Sequence, residues 1–168
     1  MVFPVVWNKG FTLYRSAVID SRFDFPIDTL YREPDPLHEL IEEAHRHGIA
    51  VISWFEFRFA ASCDAAGGHL LGRKPHGAAR DRQGRLLEKN GFVWMNAYHP
   101  EVQEFLLALV LEVARNHEVD GIQGDDRLPA LPVEGGHSEF SQALYAEEHR
   151  GTPPPRSSRR GYVGVQTN

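Results

Sequence analysis

The chain has 168 residues, of which 42% are hydrophobic, enough for one domain with a sizeable buried core. Its net charge of -5 argues against binding to nucleic acid or to an anionic membrane surface. Cys63 is the single cysteine, and neither a signal peptide nor a membrane-spanning segment is recognisable, so we expect a cytoplasmic protein without disulfides.

The first predicted element is a strand close to the N-terminus. The run "VFPVVW" at residues 2–7 is β-branched and aromatic and is followed by "NKG", a pattern typical of a strand buried on both faces. Residues 11–36 have no clear hydrophobic period and include three prolines. This segment therefore predicts a long loop.

A helix and a second strand follow. Asp35 is suited to cap the helix and Pro36 to begin it, and apolar residues then recur at helical spacing up to Gly48, where the pattern ends. The apolar run "IAVISWFEF" at residues 49–57 begins at once. A helix followed directly by a buried strand is typical of a parallel α/β sheet.

The same pattern occurs once more. Residues 58–91 predict a loop that contains a tight turn at "DRQGR", and Pro100 then opens an apolar helix that leads to a strand at Val119–Gln123. Right-handed crossovers would make the three strands parallel. Near the C-terminus, residues 138–150 predict a short amphipathic helix, and residues 152–168 predict a disordered tail.

Polar and aromatic residues follow the predicted strands at the edge where parallel α/β folds bind ligands. The candidates there are Asn8, then Trp54 and Glu56, then Asp125 and Asp126. Aromatic, amide and carboxylate side chains together suit a carbohydrate, which needs both stacking and bidentate polar partners. The alternative interpretation places Trp54 in the core and Glu56 in a surface salt bridge.

The adjacent carboxylates Asp125 and Asp126 carry the sharpest chemical signal. They could bind a metal, hold a sugar or supply a glycosidase nucleophile, and they could equally serve a turn or a helix cap. Asn96 and His99 precede a predicted helix, so that each could contact a ligand or fix the loop.

Two further patterns could indicate cofactor sites. His38 and His45 lie two turns apart on one predicted helix, but without a compact histidine pair or a cysteine partner a solvated helix face is favoured over a metal site. The glycines lack the spacing of a phosphate-binding loop. We therefore expect no cofactor.

Several of these motifs, in order, resemble the glycosyl-hydrolase-like 10 family. They are "FPVVWNKGFTLYRSAV", "DPLHELIEEAHRHGIAVISWFEF", "ARDRQGRLL", "GFVWMNAYHPEVQEFLLALVLEVARNHEVDGIQGDD" and "LPVEGG". The sequences of these motifs are most similar to those of cyanobacterial members. The family is similar to the (β/α)8-barrel glycoside hydrolases. The resemblance implies a partial TIM-type barrel at residues 1–151, with about three βα units and parallel strands.

The resemblance also implies roles for the candidate residues. The pattern from Asp120 to Asp125 is similar to the end of the fourth barrel strand, which makes Asp125 the nucleophile, with Asp126 supporting the sugar or the loop. Asn8, Glu56, Asn96 and His99 fall on motif positions facing the same rim and are predicted to bind sugar, as is Trp54 from its strand-end place.

The sequence departs from the family pattern in three ways. The family's opening strand and everything from the fifth strand onward are absent, so that about half a barrel is present and a truncated chain is expected. Gly124 stands where the family usually has phenylalanine, and the tail after "GTPPP" resembles nothing in the family. The predicted function is hydrolysis or binding of a polysaccharide, with a non-catalytic fragment as the alternative. Open strand edges predict self-association.

Overall fold

The computed structural model describes residues 1–24, 35–57, 59–124 and 132–154. They form two compact units, the first from Met1–Ala60 with Glu104–Arg127 and the second from Ala61–Gln103 with Leu128–Asn168. The elements are β1 (Val5–Asn8), β2 (Phe11–Thr12), α1 (Ala17–Phe23), α2 (Pro36–Arg46), β3 (Ile52–Phe55), β4 (Ala60–Ser62), α3 (Gly68–Arg73), a 3-10 turn (Pro75–Gly77), β5 (Glu88–Lys89), β6 (Phe92–Trp94), α4 (Pro100–Asn116), β7 (Gly121–Gln123) and α5 (Glu139–Glu148).

The sheet of the first unit contains the three predicted strands in their chain order. Its strand order is β2-β1-β3-β7, and both β1 with β3 and β3 with β7 are parallel. The predicted parallel strands are therefore confirmed. The sequence analysis predicted only parallel strands, and in that respect it was wrong. Strand β2 pairs antiparallel with β1 through a short turn at Lys9 and Gly10.

Both predicted loops contain regular structure. The segment 11–36 includes β2 and α1, and the segment 58–91 includes β4, α3 and β5. Strands β4 and β5 belong to a second sheet, of order β4-β6-β5, in which β5 and β6 are antiparallel. These strands have two or three residues and α1 has seven, too few for a hydrophobic period to be recognised in the sequence.

The core of the first unit lies between its sheet and α4. The ring of Phe105 on α4 makes edge contacts with Trp7 at 5.7 Å and with Phe23 at 5.0 Å between centroids. Large fully buried side chains around them are those of Val6, Tyr14, Leu37, Val51, Phe55, Leu109 and Val113. Burial of these apolar side chains is the main stabilising contribution in this unit.

The predicted helix ends and turn are confirmed. Asp35 Oδ1 accepts hydrogen bonds from the backbone N–H groups of Leu37 and His38, at 3.0 and 3.2 Å, and so caps α2. In "DRQGR", the Gly84 N–H donates to the Asp81 carbonyl at 3.0 Å.

Among the described helices, none is long and apolar enough to cross a membrane. The predicted tail falls almost entirely at 155–168, outside the described residues.

Candidate functional site

Two predicted site residues meet at the carboxyl ends of β1 and β3. Asn8 Nδ2 donates to Glu56 Oε2 at 2.5 Å, and both side chains are half-buried. The Glu56 N–H donates to the Trp7 carbonyl at 3.0 Å, so the parallel ladder continues to this edge. The backbone ladder thus holds the amide and the carboxylate side by side.

The alternation of side chains along the strands explains why this pair is available to a ligand. Trp7 and Phe55 are paired across the two strands and buried, with Trp7 in contact with α4. Residues next to them in the chain point to the opposite side of the sheet. Asn8, Glu56 and Trp54 therefore share the side that faces away from α4.

Two polar atoms of this set have no hydrogen-bond partner among the residues that the structure describes. They are Asn8 Oδ1, an acceptor, and Trp54 Nε1, a donor, and both atoms are buried. Trp54 itself is half-buried. This exposure is intermediate between that expected of a core residue and that expected of a ligand-binding residue. Buried polar atoms are usually satisfied, so an unfilled donor and acceptor indicate a place for a bound molecule or ordered water.

The backbone turns sharply directly after both residues of the pair. Lys9 has a φ of 53° and Phe57 a φ of 46°, the left-handed region that non-glycine residues seldom adopt. Such strained residues persist where the surrounding structure fixes them, and they concentrate at functional sites. The sequence offered no signal for either of them.

Gln123 is a rim residue that the sequence reasoning missed. It ends β7, it is half-buried, and it is paired with Trp54 on the adjacent strand. The sequence could have indicated it, because Gln123 lies two residues before Asp125 and residues two apart in a strand share a side. Asp125 and Asp126 themselves lie outside the described residues.

Asp120, directly before β7, is hydrogen-bonded to Val51 and contacts His45. Its N–H donates to the Val51 carbonyl at 2.9 Å, and its Oδ2 accepts from the Val51 N–H at 2.7 Å and contacts His45 Nε2 at 3.0 Å. These contacts, first that with Val51 and then that with His45, lower the pKa of Asp120. The first aspartate of the family pattern therefore has a local structural role.

Asn96 and His99, the other predicted sugar ligands, lie in the second unit. Asn96 is fully buried, its Nδ2 donates to the hydroxyls of Ser138 and Ser141, each at 3.0 Å, and its Oδ1 accepts from the Tyr98 N–H at 3.1 Å. All of its amide hydrogens are in use. This geometry favours the loop-fixing alternative for Asn96.

His99 directly precedes α4, and its ring contacts other rings. Its carbonyl accepts from the N–H groups of Val102 and Gln103, and its ring lies 4.7 Å from that of Phe140 and 5.4 Å from that of His76. Burial lowers the pKa of His99, which favours the neutral imidazole. Within the described parts of the chain, its buried Nδ1 has no partner.

The described residues contain no group of three or more His, Cys, Asp or Glu side chains placed to hold a metal ion. On α2, His38 lies 3.5 Å from Glu42, and His45 contacts Asp120, with all four side chains more than a third exposed. These contacts are those of a solvated helix face, the interpretation favoured from the sequence.

The comparison with known proteins identifies the family. The sequence profile of the glycosyl hydrolase-like 10 family matches residues 1–163. The chain belongs to the glycosyl hydrolase-like 10 family. Glycosyl hydrolase DigH of Escherichia coli (strain K12) is 28% identical over 98 residues, covering 55% of this chain and 22% of DigH. This glycosyl hydrolase-like 10 chain thus spans about a fifth of the length of that curated relative.

Solved structures share its fold at low identity. Alpha-L-fucosidase isoenzyme 2 from Paenibacillus thiaminolyticus matches with a TM-score of 0.62 and 21% identity, over 90% of this chain and 21% of that chain. A hypothetical protein from Ruminiclostridium thermocellum ATCC 27405 matches with a TM-score of 0.57 and 18% identity, over 90% and 77%. At these identities the likeness concerns the fold alone, and it confirms the predicted α/β class. The likeness of this glycosyl hydrolase-like 10 chain to cyanobacterial members stays a prediction.

Proposed function

We propose that this chain is a glycoside hydrolase-like protein that acts on or binds a polysaccharide through the strand-end set Asn8, Trp54 and Glu56. The observation that carries the proposal is that an acceptor on Asn8 and a donor on Trp54, on the same side of the sheet, have no hydrogen-bond partners among the described residues. A sugar hydroxyl can both donate and accept, so it suits either atom, and aromatic side chains such as the indole commonly pack against sugar rings.

We propose that this set lies on a partial (β/α)8 barrel. The parallel strands β1, β3 and β7 are neighbours in chain order, with α2 between the first two and α4 between the last two. This is the connectivity of consecutive barrel units, whose ligands bind at the carboxyl ends of the strands. The family membership favours the same arrangement.

In an active form, Asp125 is the proposed nucleophile and Asp126 a supporting ligand. Family likeness selects Asp125, which follows the half-buried Gln123 by two positions. Glycosidases use two carboxyl groups, about 5–5.5 Å apart for retention and about 6.5–9.5 Å apart for inversion. Glu56 is the rim carboxyl next to the unfilled acceptor, and it would bind or orient the sugar.

A non-catalytic carbohydrate-binding role is the second candidate. In the described part of the chain, the ends of β1, β3 and β7 carry a single carboxyl group, that of Glu56, and it is already hydrogen-bonded to Asn8. With only one carboxyl group of this kind, the rim would bind a sugar without cleaving it.

A binding experiment tests the strand-end set. Neutral hexasaccharides (maltohexaose, cellohexaose and chitohexaose) would be titrated into the intact chain by calorimetry. Trp54→Phe keeps an aromatic ring but removes the indole N–H, so we expect about a fivefold to tenfold weaker affinity. Phe3→Leu is the control, because Phe3 is an exposed aromatic residue of the first unit outside the strand-end set. Equal effects of the two substitutions would contradict the proposal.

Turnover separates the two candidate functions. Release of reducing ends from any of the three hexasaccharides would support the enzyme, and binding without release would support the non-catalytic role. If turnover occurs, Asp125→Asn should abolish it, while Asp126→Asn should leave measurable activity. The reverse result would exchange the two assignments.

A further inference from the structure

The second unit contains two neighbouring cavities, and none of their lining residues belongs to the strand-end set of the first unit. The larger has a volume of about 920 Å³, within the range of small-molecule sites, and the smaller about 270 Å³. Ala65, Glu88 and Lys89 line both of them. The two cavities thus share a wall and are here together called the unit-2 groove.

Several residues that line the unit-2 groove contact one another. Asp81 Oδ1 accepts from the N–H groups of Gln83 and Arg85, at 2.8 and 3.0 Å, and its Oδ2 accepts from Arg85 Nε at 2.8 Å. Lys89 Nζ contacts Glu134 Oε1 at 2.6 Å. Side chains held in this way lose less conformational freedom on binding, which favours affinity.

The charges around the groove favour a neutral ligand. The described lining residues include three basic side chains (Arg82, Arg85, Lys89) and three acidic ones (Asp81, Glu88, Glu134). A phosphate or another strong anion would meet all three carboxylates, and a cation would meet the three basic groups. A molecule rich in hydroxyl groups can instead donate to the acids and accept from the bases.

His137 adds a neutral polar group to the same wall. Burial, followed by the positive charge of Arg82, lowers the pKa of His137, so its imidazole is uncharged at neutral pH. A neutral imidazole carries one donor and one acceptor nitrogen, which again matches a hydroxyl group.

The lining of the groove favours a chain of sugar rings over an extended peptide. Phe92 lines the smaller cavity, and aromatic side chains commonly pack against sugar rings. Strand addition, one common mode of peptide binding, needs a longer edge than the two residues of β5. We propose that the unit-2 groove is a second binding site, which takes a neutral segment of an oligosaccharide.

This proposal rests on other residues than the strand-end set in the first unit, and a site-resolved titration distinguishes the two sites. The isotope-labelled intact chain would be titrated with maltohexaose, cellohexaose and chitohexaose, and backbone amide shifts followed by NMR. For at least one sugar we expect saturating shifts at Gln83, Lys89 and Phe92. Shifts confined to the first unit would overturn the second site and leave the proposed function standing. Shifts confined to the second unit would support the second site and count against the strand-end set.

Substitutions test which side chains carry the binding. Gln83→Ala with His137→Ala removes two polar partners and should weaken the second-unit titration by about tenfold or more. The single Gln83→Ala variant should weaken it by a smaller factor and serves if the double variant does not fold. Gln103→Ala, an exposed glutamine of the same unit outside the groove, is the matched control and should have no effect. Affinity that is unchanged in Gln83→Ala and in the folded double variant would overturn the proposal, as would saturation by a neutral Gly-Ser peptide but by none of the three sugars.

Discussion

Glu112 is a carboxylate on α4 that is only 9% exposed and holds a short helix in place. It accepts hydrogen bonds from the Ser16 hydroxyl at 2.5 Å and from the Val18 N–H at 3.1 Å, at the start of α1. Burial raises the pKa of the nearby Tyr14 hydroxyl, and the charge of Glu112 raises it further. Glu112 thus accepts from one of the first N–H groups of α1 and also holds the N-cap Ser16, whose hydroxyl oxygen accepts from the Ile19 N–H.

We predict that Glu112→Ala destabilises the protein by about 2 kcal/mol, because it leaves the Ser16 hydroxyl and the Val18 N–H buried without their acceptor. Glu104→Ala, on the exposed face of the same helix, should change the free energy of unfolding by less than about 0.5 kcal/mol. Urea unfolding of the two variants and the parent measures the difference. Similar losses for both variants would mean that Glu112 does not cap α1.

At the scale of the element, two glycines in α3 differ in what they allow. Gly68 begins the helix with a φ of +63°, and a Cβ there would lie 2.6 Å from the Ser62 hydroxyl oxygen. Gly72, one turn later, has no atom within 4 Å of its would-be Cβ and is exposed. The first position requires glycine for its backbone and for the close approach of β4, and the second does not.

The two glycines therefore predict opposite effects of the same substitution. Gly68→Ala should destabilise the protein by about 2–3 kcal/mol, from a strained backbone and a clash with Ser62. Gly72→Ala should stabilise it by up to about 1 kcal/mol, because alanine is the better helix former. Thermal unfolding of both variants measures the sign, and destabilisation by Gly72→Ala would contradict this account of α3.

At the scale of the whole molecule, the first-unit sheet has edges that can pair with another copy. Among the described strands, β2 and β7 are the outer ones, and Ile122 on β7 is 37% exposed. An exposed apolar edge strand is a template for pairing between chains. Self-association, expected from the sequence, thus remains a prediction with a defined location.

We expect the apparent mass in light scattering to rise with protein concentration and Ile122→Lys to reduce that rise, because a charge on an edge strand opposes pairing. Leu107→Lys is the control, since Leu107 is an exposed apolar residue on α4 and not on an edge. A monomer at all concentrations, or an equal response to both substitutions, would contradict association through β7.

The stability of the molecule should depend on pH in two windows. Burial lowers the pKa values of His99, His117 and His137 in the folded state. As the pH falls through about 6.5, the unfolded chain takes up protons that the folded chain does not, so the free energy of unfolding decreases. Hydrogen bonds from His76 and Lys89, respectively, lower the pKa values of Glu101 and Glu134. The contributions of these two carboxylates to the free energy of unfolding are therefore present at neutral pH and lost below about pH 4.5.

Urea unfolding midpoints at pH values of about 7.5, 5.5 and 3 measure both windows. We expect a lower midpoint at each step. Replacing the three half-buried histidines by glutamine should flatten the first step and leave the second. A parent midpoint that is equal at the two higher pH values would contradict the first window.

Local signals determined the strands β1, β3 and β7 and the helices α2, α4 and α5, because apolar periodicity and caps such as Asp35 act within a few residues. They also indicated Asn8 and Glu56 as strand-end residues, and the family motifs indicated the family. Asp125 and Asp126, outside the described residues, stay predictions.

Only the tertiary structure decided α1, β2 and the second sheet, whose elements are too short to be stable by local propensity. It also decided which polar groups meet: Asn8 with Glu56 across 48 positions, Asn96 with Ser138 across 42, and Ser16 with Glu112 across 96. A sequence names these donors and acceptors but not their partners. Pairing over such separations depends on packing of the whole core, which no local pattern encodes.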